Sequence, residues 1–441
     1  MTMSVSEGAS NMLSTKTRKL NPTLLSQAKF ADEPAWLTDM RQAAWQKIDE
    51  LTLPVFDKVD YHTWPLFEFA EKQTPVTDDP TDLLDPTDHY QFVSVGKRTV
   101  KNDLAAELTD KGVILTDMQT AIRDHSELLS EYLFQKAVKF GENRLTAVNA
   151  ALMNGGAFLY VPKGVEIDQP IDLMQVQDSR GKENFVNHTL IVAGADSHFS
   201  VLQRLTTIGD QVNPAHVTVE IVAEDNSYVK FSALDTLGEN TYAYYNRRGY
   251  LENSARIDWT MGVLNDGSTV ADFDSDLRGD GSHTEMQTVA LSTGKQVQGL
   301  DTQVTNYGRH SEGNILQRGV LLDKSTLIFN GVGKIIHGAH GSKAQQENRV
   351  LMLSPKAHGD ANPILLIDEN DVIAGHAASV GQVNKKQLYY LMSRGLSKAV
   401  AKRLVVRGFL GVVLRDIPVA DVREQMVDMM ERKLSHEQGT E

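Results

Sequence analysis

Residues 267–282 read GSTVADFDSDLRGDGS, a run in which apolar and polar residues alternate between two Gly-Ser pairs. Alternation with a period of two is typical of a β-strand, because successive side chains point to opposite faces. Glycine and serine together are typical of a turn. The stretch therefore predicts one strand and one turn in a unit of 14 residues.

The same unit recurs through the middle of the chain. Short runs rich in Val, Ile, Thr and Tyr are separated by a small or polar residue and then a serine, at Ser197, Ser227, Ser254, Ser268, Ser282, Ser311 and Ser325. The intervals between these serines cluster near 14 residues and its double. Such a repeat, without long helical patterns between the strands, predicts a solenoid. We therefore expect a mainly β fold, a right-handed parallel β-helix with two strands per flattened coil; a large antiparallel sandwich is the alternative.

Helical patterns flank this region on both sides. The sequence divides into an N-terminal helical region (1–150), a β-helix core (151–380) and a C-terminal helical region (381–441). Asp32 and Asn384 are candidate N-caps for a helix in the first and the last region. We expect the two helical regions to cover the ends of the β-helix, because open sheet edges pair with other chains.

The composition limits the possible functions. The chain has 441 residues, of which 41% are hydrophobic and 23% charged, and it has no apolar segment of the ~18 residues that a membrane span needs. It contains 58 Asp and Glu against 44 Lys and Arg, a formal charge of −14. An acidic surface repels phosphate backbones, so nucleic acid is not an expected partner. No basic segment precedes an apolar run near residue 1, so we expect a cytoplasmic protein.

The sequence contains no cysteine. This excludes disulfides, thiol nucleophiles and any cluster held by the chain's own thiolates. The glycine-rich stretch Gly331-Val332-Gly333-Lys334 is followed by Ile335 where a P-loop needs a hydroxyl residue. We therefore expect no ATP site on this chain, and any metal must be held by His, Asp, Glu or another chain.

Asp272, Asp274 and Asp276 alternate along one predicted strand, so their carboxylates share a face. Such a group could bind calcium or act as acid and base on a sugar. Leu277 stands where an EF-hand loop needs glycine, which argues against that calcium motif. A solvated strand face is the simpler explanation. A β-helix enzyme acting on carbohydrate through these three residues is the alternative hypothesis for function.

Four of the 13 histidines, His337, His340, His358 and His376, fall within forty residues. On successive coils of a solenoid they could stack into a nitrogen site for iron, copper or zinc. Each one alone is more often an ordinary hydrogen-bonded histidine. His376 stands out because its neighbours in residues 374–379, AGHAAS, are all small and leave room for another backbone or a cofactor.

Five motifs resemble those of the SufB/SufD family. They are AFLYVPKGV at 157–165, QENRVLMLSP at 346–355, DVIAGHAASVG at 371–381, LYYLMSRGL at 388–396 and RLVVRGFL at 403–410. Together the resemblance covers nearly the whole chain, and it is weakest before about residue 140. The resemblance independently favours the β-helix.

The resemblance implies a scaffold subunit of the SUF iron–sulfur cluster assembly system, not an enzyme. In that family SufB and SufD pair through their β-helix cores, and each carries a copy of the ATPase SufC on its C-terminal helices. The implied cofactor is a transient iron–sulfur cluster shared with SufB, with His376 at the assembly interface as a candidate iron ligand or proton relay. By motif region, the implied SufC contacts are Arg394, Gly395, Arg403, Arg407, Gly408 and Phe409. Flavin binding is left open.

Two departures from the family pattern favour a SufD-type over a SufB-type chain. Some members have a cysteine two residues before the histidine, where this chain has Ala374. The acceptor cysteine of SufB, expected around residues 346–348, has no counterpart. The sulfur ligands of a cluster must then come from the partner. Because SufB and SufD share an architecture, a symmetric homodimer of this chain is a third hypothesis.

Overall fold

The structure, a computed structural model, describes residues 19–74, 76, 91–415 and 420–436. Its centre is a solenoid of parallel β-strands with about 8 turns, with helices on the N- and C-terminal sides. Strands hold 43% of the residues and helices 22%. The parallel β-helix predicted from the serine intervals is confirmed, and the antiparallel sandwich is wrong.

Successive strands of the solenoid alternate between two sheets. The strands are β1 (Phe92–Val95), β2 (Arg98–Asn102), β3 (Ile114–Asp117), β4 (Ala157–Val161), β5 (Ile171–Ser179), β6 (Phe185–Ala193), β7 (His198–Gly209), β8 (Asn213–Ala223), β9 (Tyr228–Thr236), β10 (Thr241–Leu251), β11 (Arg256–Val263), β12 (Thr269–Leu277), β13 (His283–Ser292), β14 (Val297–Asn306), β15 (Glu312–Leu321), β16 (Thr326–Ile335), β17 (Lys343–Met352), β18 (His358–Ile367) and β19 (Ile373–Gln382). One sheet has the order β19-β17-β15-β13-β11-β9-β7-β5-β1-β2, and the other β18-β16-β14-β12-β10-β8-β6-β4-β3. Only the pairs β1–β2 and β3–β4 are antiparallel among the strand pairs described.

The serines of the repeat close the turns between strands. The hydroxyl groups of Ser227 and Ser282 donate to the carbonyl oxygen three residues earlier, at 2.6 and 2.7 Å. The residues before them, Asn226 and Gly281, have φ angles of 59° and 69°. Asn and Gly are the residue types that most readily adopt this left-handed conformation. Ser311 follows the same pattern after His310, so a left-handed residue and a hydroxyl donor together close these three turns.

The helices are α1 (Thr23–Ala28), α2 (Ala35–Lys47), α3 (Ala106–Asp110), α4 (Met118–Asp124), α5 (Ser126–Tyr132), α6 (Arg144–Leu152), α7 (Lys385–Ser393), α8 (Lys398–Leu414) and α9 (Ala420–His436). Asn384 caps α7 as predicted, since its Oδ1 accepts from the backbone N–H of Lys386 at 2.9 Å. The prediction for Asp32 is wrong: Pro34 is the N-cap of α2, and Asp32 lies in the preceding turn with a φ of 54°. No described helix is long and apolar enough to cross a membrane.

The N-terminal end of the solenoid is covered. Leu104 and Leu108, the latter on α3, pack against the interior core. The helices α2, α4 and α6 pack beside this end, because their cluster contains Phe158 of β4 and Leu190 of β6 on the outer face of the nine-stranded sheet. The ten-stranded sheet ends here in the five-residue strand β2, most of which is exposed and which carries two cationic residues. Short, charged edge strands resist pairing with other chains.

The C-terminal helices do not cover the other end, which corrects our expectation for the described residues. Val406 and Leu410 of α8 pack against Val289, Leu291 and Val320 on the outer face of the ten-stranded sheet. Because that face carries a continuous apolar strip, α8 and α9 lie along the side of the solenoid. The last strand, β19, is exposed along almost its whole length, and α7 has no buried residue.

Candidate functional site

His376 lies on β19, the outermost strand of the ten-stranded sheet. Its register partner on β17 is Gln346, and the partner of Ala378 is Asn348. The side chains of Gln346 and Asn348 are buried inside the solenoid. Residues paired in register on parallel strands point to the same face, so His376 is on the inward-facing side of the last turn. It is nevertheless exposed, because no described strand lies beyond β19.

Two buried amide side chains lie one strand beneath His376. Nε2 of Gln346 donates to the carbonyl oxygen of Ile364 on β18 at 2.8 Å, whereas its Oε1 has no hydrogen-bond partner among the described residues. Asn348 is fully buried, and neither its Nδ2 nor its Oδ1 has a partner there. Buried polar atoms without partners are rare in proteins unless water or a ligand satisfies them. This end of the interior is therefore suited to a polar occupant.

The glycine-rich stretch of β16 makes room for these amides. A Cβ on Gly331 would lie 2.5 Å from Oε1 of Gln346 and 2.7 Å from Nδ2 of Asn348. A Cβ on Gly333 would lie 3.0 Å from Cδ2 of Leu365. The two distances from Gly331 are shorter than real Cβ atoms keep from their neighbours, so a larger residue at this position would displace the two amide side chains. The glycines of residues 331–334, a stretch that lacks the hydroxyl residue of a P-loop, thus have a packing role at the end of the solenoid.

The four candidate histidines do not form one site. His337 and His340 follow β16 and lie 3.7 and 3.2 Å from the carboxylate of Glu369. Backbone N–H groups of Gly338 and Asn370, with a smaller effect of His340, lower the pKa of Glu369 to about 2. His358 is exposed at the start of β18. The described residues contain no group of three or more His, Cys, Asp or Glu side chains that could hold a metal.

The three aspartates of β12 are held by arginines. Arg248 lies 2.9 Å from a carboxylate oxygen of Asp272 and 2.6 Å from one of Asp274, and Arg278 lies 2.5 Å from Asp276. Burial raises the pKa of Asp274 well above its usual range, although Arg248 opposes this shift. The carboxylates of Asp272 and Asp276 therefore lie in ion pairs with arginines of the sheet face, and this geometry does not favour the carbohydrate-enzyme hypothesis.

An apolar groove of about 750 Å³ runs between α7, α8 and the end of β17. Its lining includes Tyr390 and Leu391 of α7 and Leu404, Gly408 and Phe409 of α8. Leu404 is 45% exposed, although it is aliphatic. We call this feature the α7–α8 groove. Two of the residues predicted to contact an ATPase, Gly408 and Phe409, belong to it.

The other four predicted contact residues lie outside the lining of the groove. Arg394 ends α7 and places its guanidinium 5.2 Å from the ring centroid of Tyr390, and Gly395 follows with a φ of 92°. Arg407 lies 3.8 Å from Glu431 on α9. Arg403 is half-buried on α8. Arg394 thus borders the groove through Tyr390.

The buried amides and the exposed leucine of the groove were not found from the sequence. Residues 343–350, KAQQENRV, do show the alternation of a strand, and this was the available signal. The apolar residues of this alternation, Ala344 and Val350, share a face with Gln346 and Asn348, so the pattern itself indicates that these two amides point inward. This inward pair is the one that contacts Gly331.

Comparisons with known proteins agree with this architecture. Residues 175–409 match the family model described as "SUF system FeS cluster assembly, SufBD core domain", and residues 84–173 match "SufBD protein N-terminal region". The chain is 42% identical over 436 residues to the iron-sulfur cluster assembly protein SufD of Bacillus subtilis, covering 96% of this chain and 99% of that protein. It is 24% identical over 414 residues to SufBD family proteins of Staphylococcus epidermidis and Staphylococcus haemolyticus, covering 89% of this chain and 88% of theirs.

Proposed function

The chain belongs to the SufBD family of SUF-system iron–sulfur cluster assembly proteins, and we propose that it acts there as a SufD-type scaffold subunit without catalytic activity of its own. It pairs with SufB through the open end of the solenoid, carries SufC on its C-terminal helices and contributes His376 to the assembly interface. The observation that carries this proposal is the uncovered last turn, because it joins an unpaired sheet edge, exposed apolar residues and His376 in one surface.

Pairing through the open end follows from the backbone of β18 and β19. An edge strand presents a row of unpaired N–H and C=O groups, which another strand can pair with. Leu366, Ile373 and Val380 are large apolar residues exposed on these two strands. A second β-helix of the same width would extend both sheets and cover Val380, whose register partner Val350 belongs to the interior core. SufB fits this requirement because it shares the architecture in the family.

The role of His376 follows from its position and from the absence of cysteine. The chain has no thiol, so the sulfur ligands of a nascent cluster come from the partner, and iron and sulfide are the cargo. An imidazole at the joined ends can ligate iron or accept a proton from a partner's thiol. Gln346 and Asn348 supply hydrogen-bonding groups beneath it.

Docking of SufC is assigned to the α7–α8 groove. The groove exposes Tyr390 and Leu404, which a protein partner would cover. The buried side of α8 packs on the ten-stranded sheet, whose last strand carries His376. A movement of α8 driven by ATP hydrolysis in SufC would therefore act on the same sheet, shear the two solenoids and expose buried ligands.

The test is co-purification of the tagged full-length chain from its native host, followed by native mass spectrometry and analysis of iron and sulfide. We expect a complex with SufB and SufC. The variant His376→Ala should keep the complex but lose nearly all bound iron and sulfide, because the interface loses an imidazole and no strand contact.

His358→Ala is the matched control, since His358 is also exposed on the last turn but lies at the start of β18. We expect it to retain iron and sulfide. A chain that purifies only as its own dimer would support the third hypothesis instead. A His376→Ala complex that assembles clusters normally would refute the proposed role of this residue.

A further inference from the structure

A second cleft lies on the other side of α7. It has a volume of about 800 Å³ and is formed by the turns after β15 and β17 together with α7 and the start of α8. Five lysines line it, Lys324, Lys356, Lys385, Lys398 and Lys402. We call it the lysine cleft. A concentration of positive charge on a chain with a net charge of −14 points to an anionic partner.

The starts of α7 and α8 add to the positive potential of the lysine cleft. The first helical residues are Lys385 and Lys398, and neither helix has an acidic residue in its first turn. The N-terminus of a helix carries a partial positive charge, so lysine there is unfavourable without an anion nearby. Asn384 and Ser397 cap these helices through one N–H group each. The remaining N–H groups of both first turns are available to acidic side chains.

The lining contains one carboxylate, that of Asp323, against five lysines, so the cleft keeps an excess of positive charge. Asp323 accepts a hydrogen bond from the backbone N–H of Gly294 at 2.8 Å, on the neighbouring turn of the solenoid. Lys324, Lys356, Lys385 and Lys398 are all exposed. Their charges therefore face the cleft and solvent.

The floor of the lysine cleft is apolar. Met352 and Leu353 come from the end of β17, and Leu388, Tyr389 and Met392 come from α7. Tyr389 is 75% exposed, the most exposed aromatic side chain among the large hydrophobic residues described. A floor of this kind does not suit free phosphate. It suits an apolar or aromatic side chain flanked by carboxylates.

We infer that the lysine cleft binds an acidic segment with an apolar residue at its centre, presented by the ATPase partner that docks in the α7–α8 groove. This inference rests on the proposed function, and it extends it to the opposite face of the same helix. Leu388 and Met392 face the cleft, whereas Tyr390 and Leu391 face the groove. Because α7 has no buried residue of its own, a partner that contacts both faces supplies its packing.

The test compares two triple variants of the full chain in complex with SufC. Lys356→Glu, Lys385→Glu and Lys398→Glu reverse the charge of the lysine cleft. Lys72→Glu, Lys111→Glu and Lys230→Glu make the same change in net charge at exposed positions outside the cleft. We expect the cleft variant to bind SufC at least about tenfold more weakly at low salt, and the control variant to bind like the unmodified chain.

Salt and crosslinking give independent readouts. The affinity of the unmodified chain should fall as sodium chloride rises, and that of the cleft variant should depend less on salt. A carbodiimide, which joins amines directly to carboxylates, should link Lys356 or Lys385 to Asp or Glu of SufC. Circular dichroism and thermal melting verify that both variants fold.

Three results would overturn the inference. If SufC binds both variants equally, the proposed docking stands but the role of the cleft does not. If SufC binds neither the unmodified chain nor the variants, the proposed function itself fails at this surface and the inference fails with it. If ATP or inorganic phosphate alone binds saturably to the isolated chain and the cleft variant abolishes that binding, the cleft is a small-anion site instead.

Discussion

Asn348 belongs to a column of inward-facing residues whose character changes toward the open end. Its register partners in successive turns are Gln317, Thr288 and Met261. Oγ1 of Thr288, Oε1 of Gln317 and both amide atoms of Asn348 have no hydrogen-bond partner among the described residues. The column is apolar at Met261 and Ala233 and polar again at Gln203, so buried polar groups lie on both sides of this apolar step. Those nearest His376 are Gln346 and Asn348.

Replacing Asn348 by leucine should separate stability from function. Leucine has a similar size and removes two buried polar atoms without partners, so we expect the free energy of unfolding to rise by about 1–3 kcal/mol. Iron and sulfide on the complex should fall, because the surroundings of His376 lose their hydrogen-bonding groups. Chemical denaturation measures the first effect, and metal and sulfide analysis the second.

Thr288→Val is the matched control, two turns deeper in the same column. It also removes a buried polar atom without a partner, so it should stabilise the chain while leaving cluster content unchanged. If Asn348→Leu lowers the stability, then a bound molecule satisfies this amide in solution. If both variants keep full cluster content, the amides have no role in assembly.

The sequence identified His376 but not the groups beneath it. The histidine was found through its small neighbours and the family resemblance, which need no knowledge of orientation. Gln346 and Asn348 required the register between β17 and β19, and register depends on contacts between residues about one coil apart. The ion pairs of Asp272 and Asp274 with Arg248 depend on the same long-range register.

Helix α8 has two different apolar surfaces. Its inner side, including Val406, Leu410 and Val413, is buried against the ten-stranded sheet. Leu404 and Val412 are 45% and 41% exposed, but only Leu404 lines the α7–α8 groove. The inner surface fixes α8 to the solenoid, and the surface at Leu404 is left for a partner.

Leu404→Asp should weaken SufC binding without unfolding the chain. A carboxylate at the centre of an apolar interface must lose its hydration, so we expect the affinity to fall by at least about tenfold. Val412→Asp places the same charge on an equally exposed aliphatic position outside the groove, and it should bind SufC normally. Isothermal titration of the purified chains with SufC measures both. Equal affinities for the two variants would place SufC elsewhere.

The strands and turns were predictable because they are local, whereas the position of the C-terminal helices was not. Small or polar residues and serine recur in the turns, so the period shows directly in the sequence, and at Ser227 and Ser282 a left-handed residue and a hydroxyl donor close the turn. The apolar stripe of α8 shows only that one face is buried. It has the same pattern whether the helix covers the end or the side, which is why the expected cover over β19 was wrong.

The two ends of the solenoid differ in how far their last strands are covered. Leu104, Leu108 of α3 and the short charged strand β2 close the N-terminal end, and β18 and β19 leave the other end open. Val380 lies on the inward-facing side of β19, opposite Val350, and is 40% exposed. A partner that joins this end would bury Val380 in a shared core.

Val380→Lys should prevent association at the open end. A lysine in a newly buried core would lose the hydration of its ammonium group, so we expect the complex with SufB, or a homodimer, to dissociate at micromolar concentrations. Val212→Lys is the control, because Val212 is also an exposed valine but lies between β7 and β8. Light scattering as a function of concentration gives the mass of each species. A Val380→Lys chain that still associates would exclude the open end as the interface.

The closed N-terminal end has a consequence for how the protein is produced. Stacked β-sheets with two free ends grow into fibrils, because every addition creates a new place for the next. If a second chain stacks on the open end, no further open end remains among the described residues, so we expect growth to stop at a pair. A cell that makes this chain in excess of its counterpart should then accumulate pairs of finite size in place of fibrils.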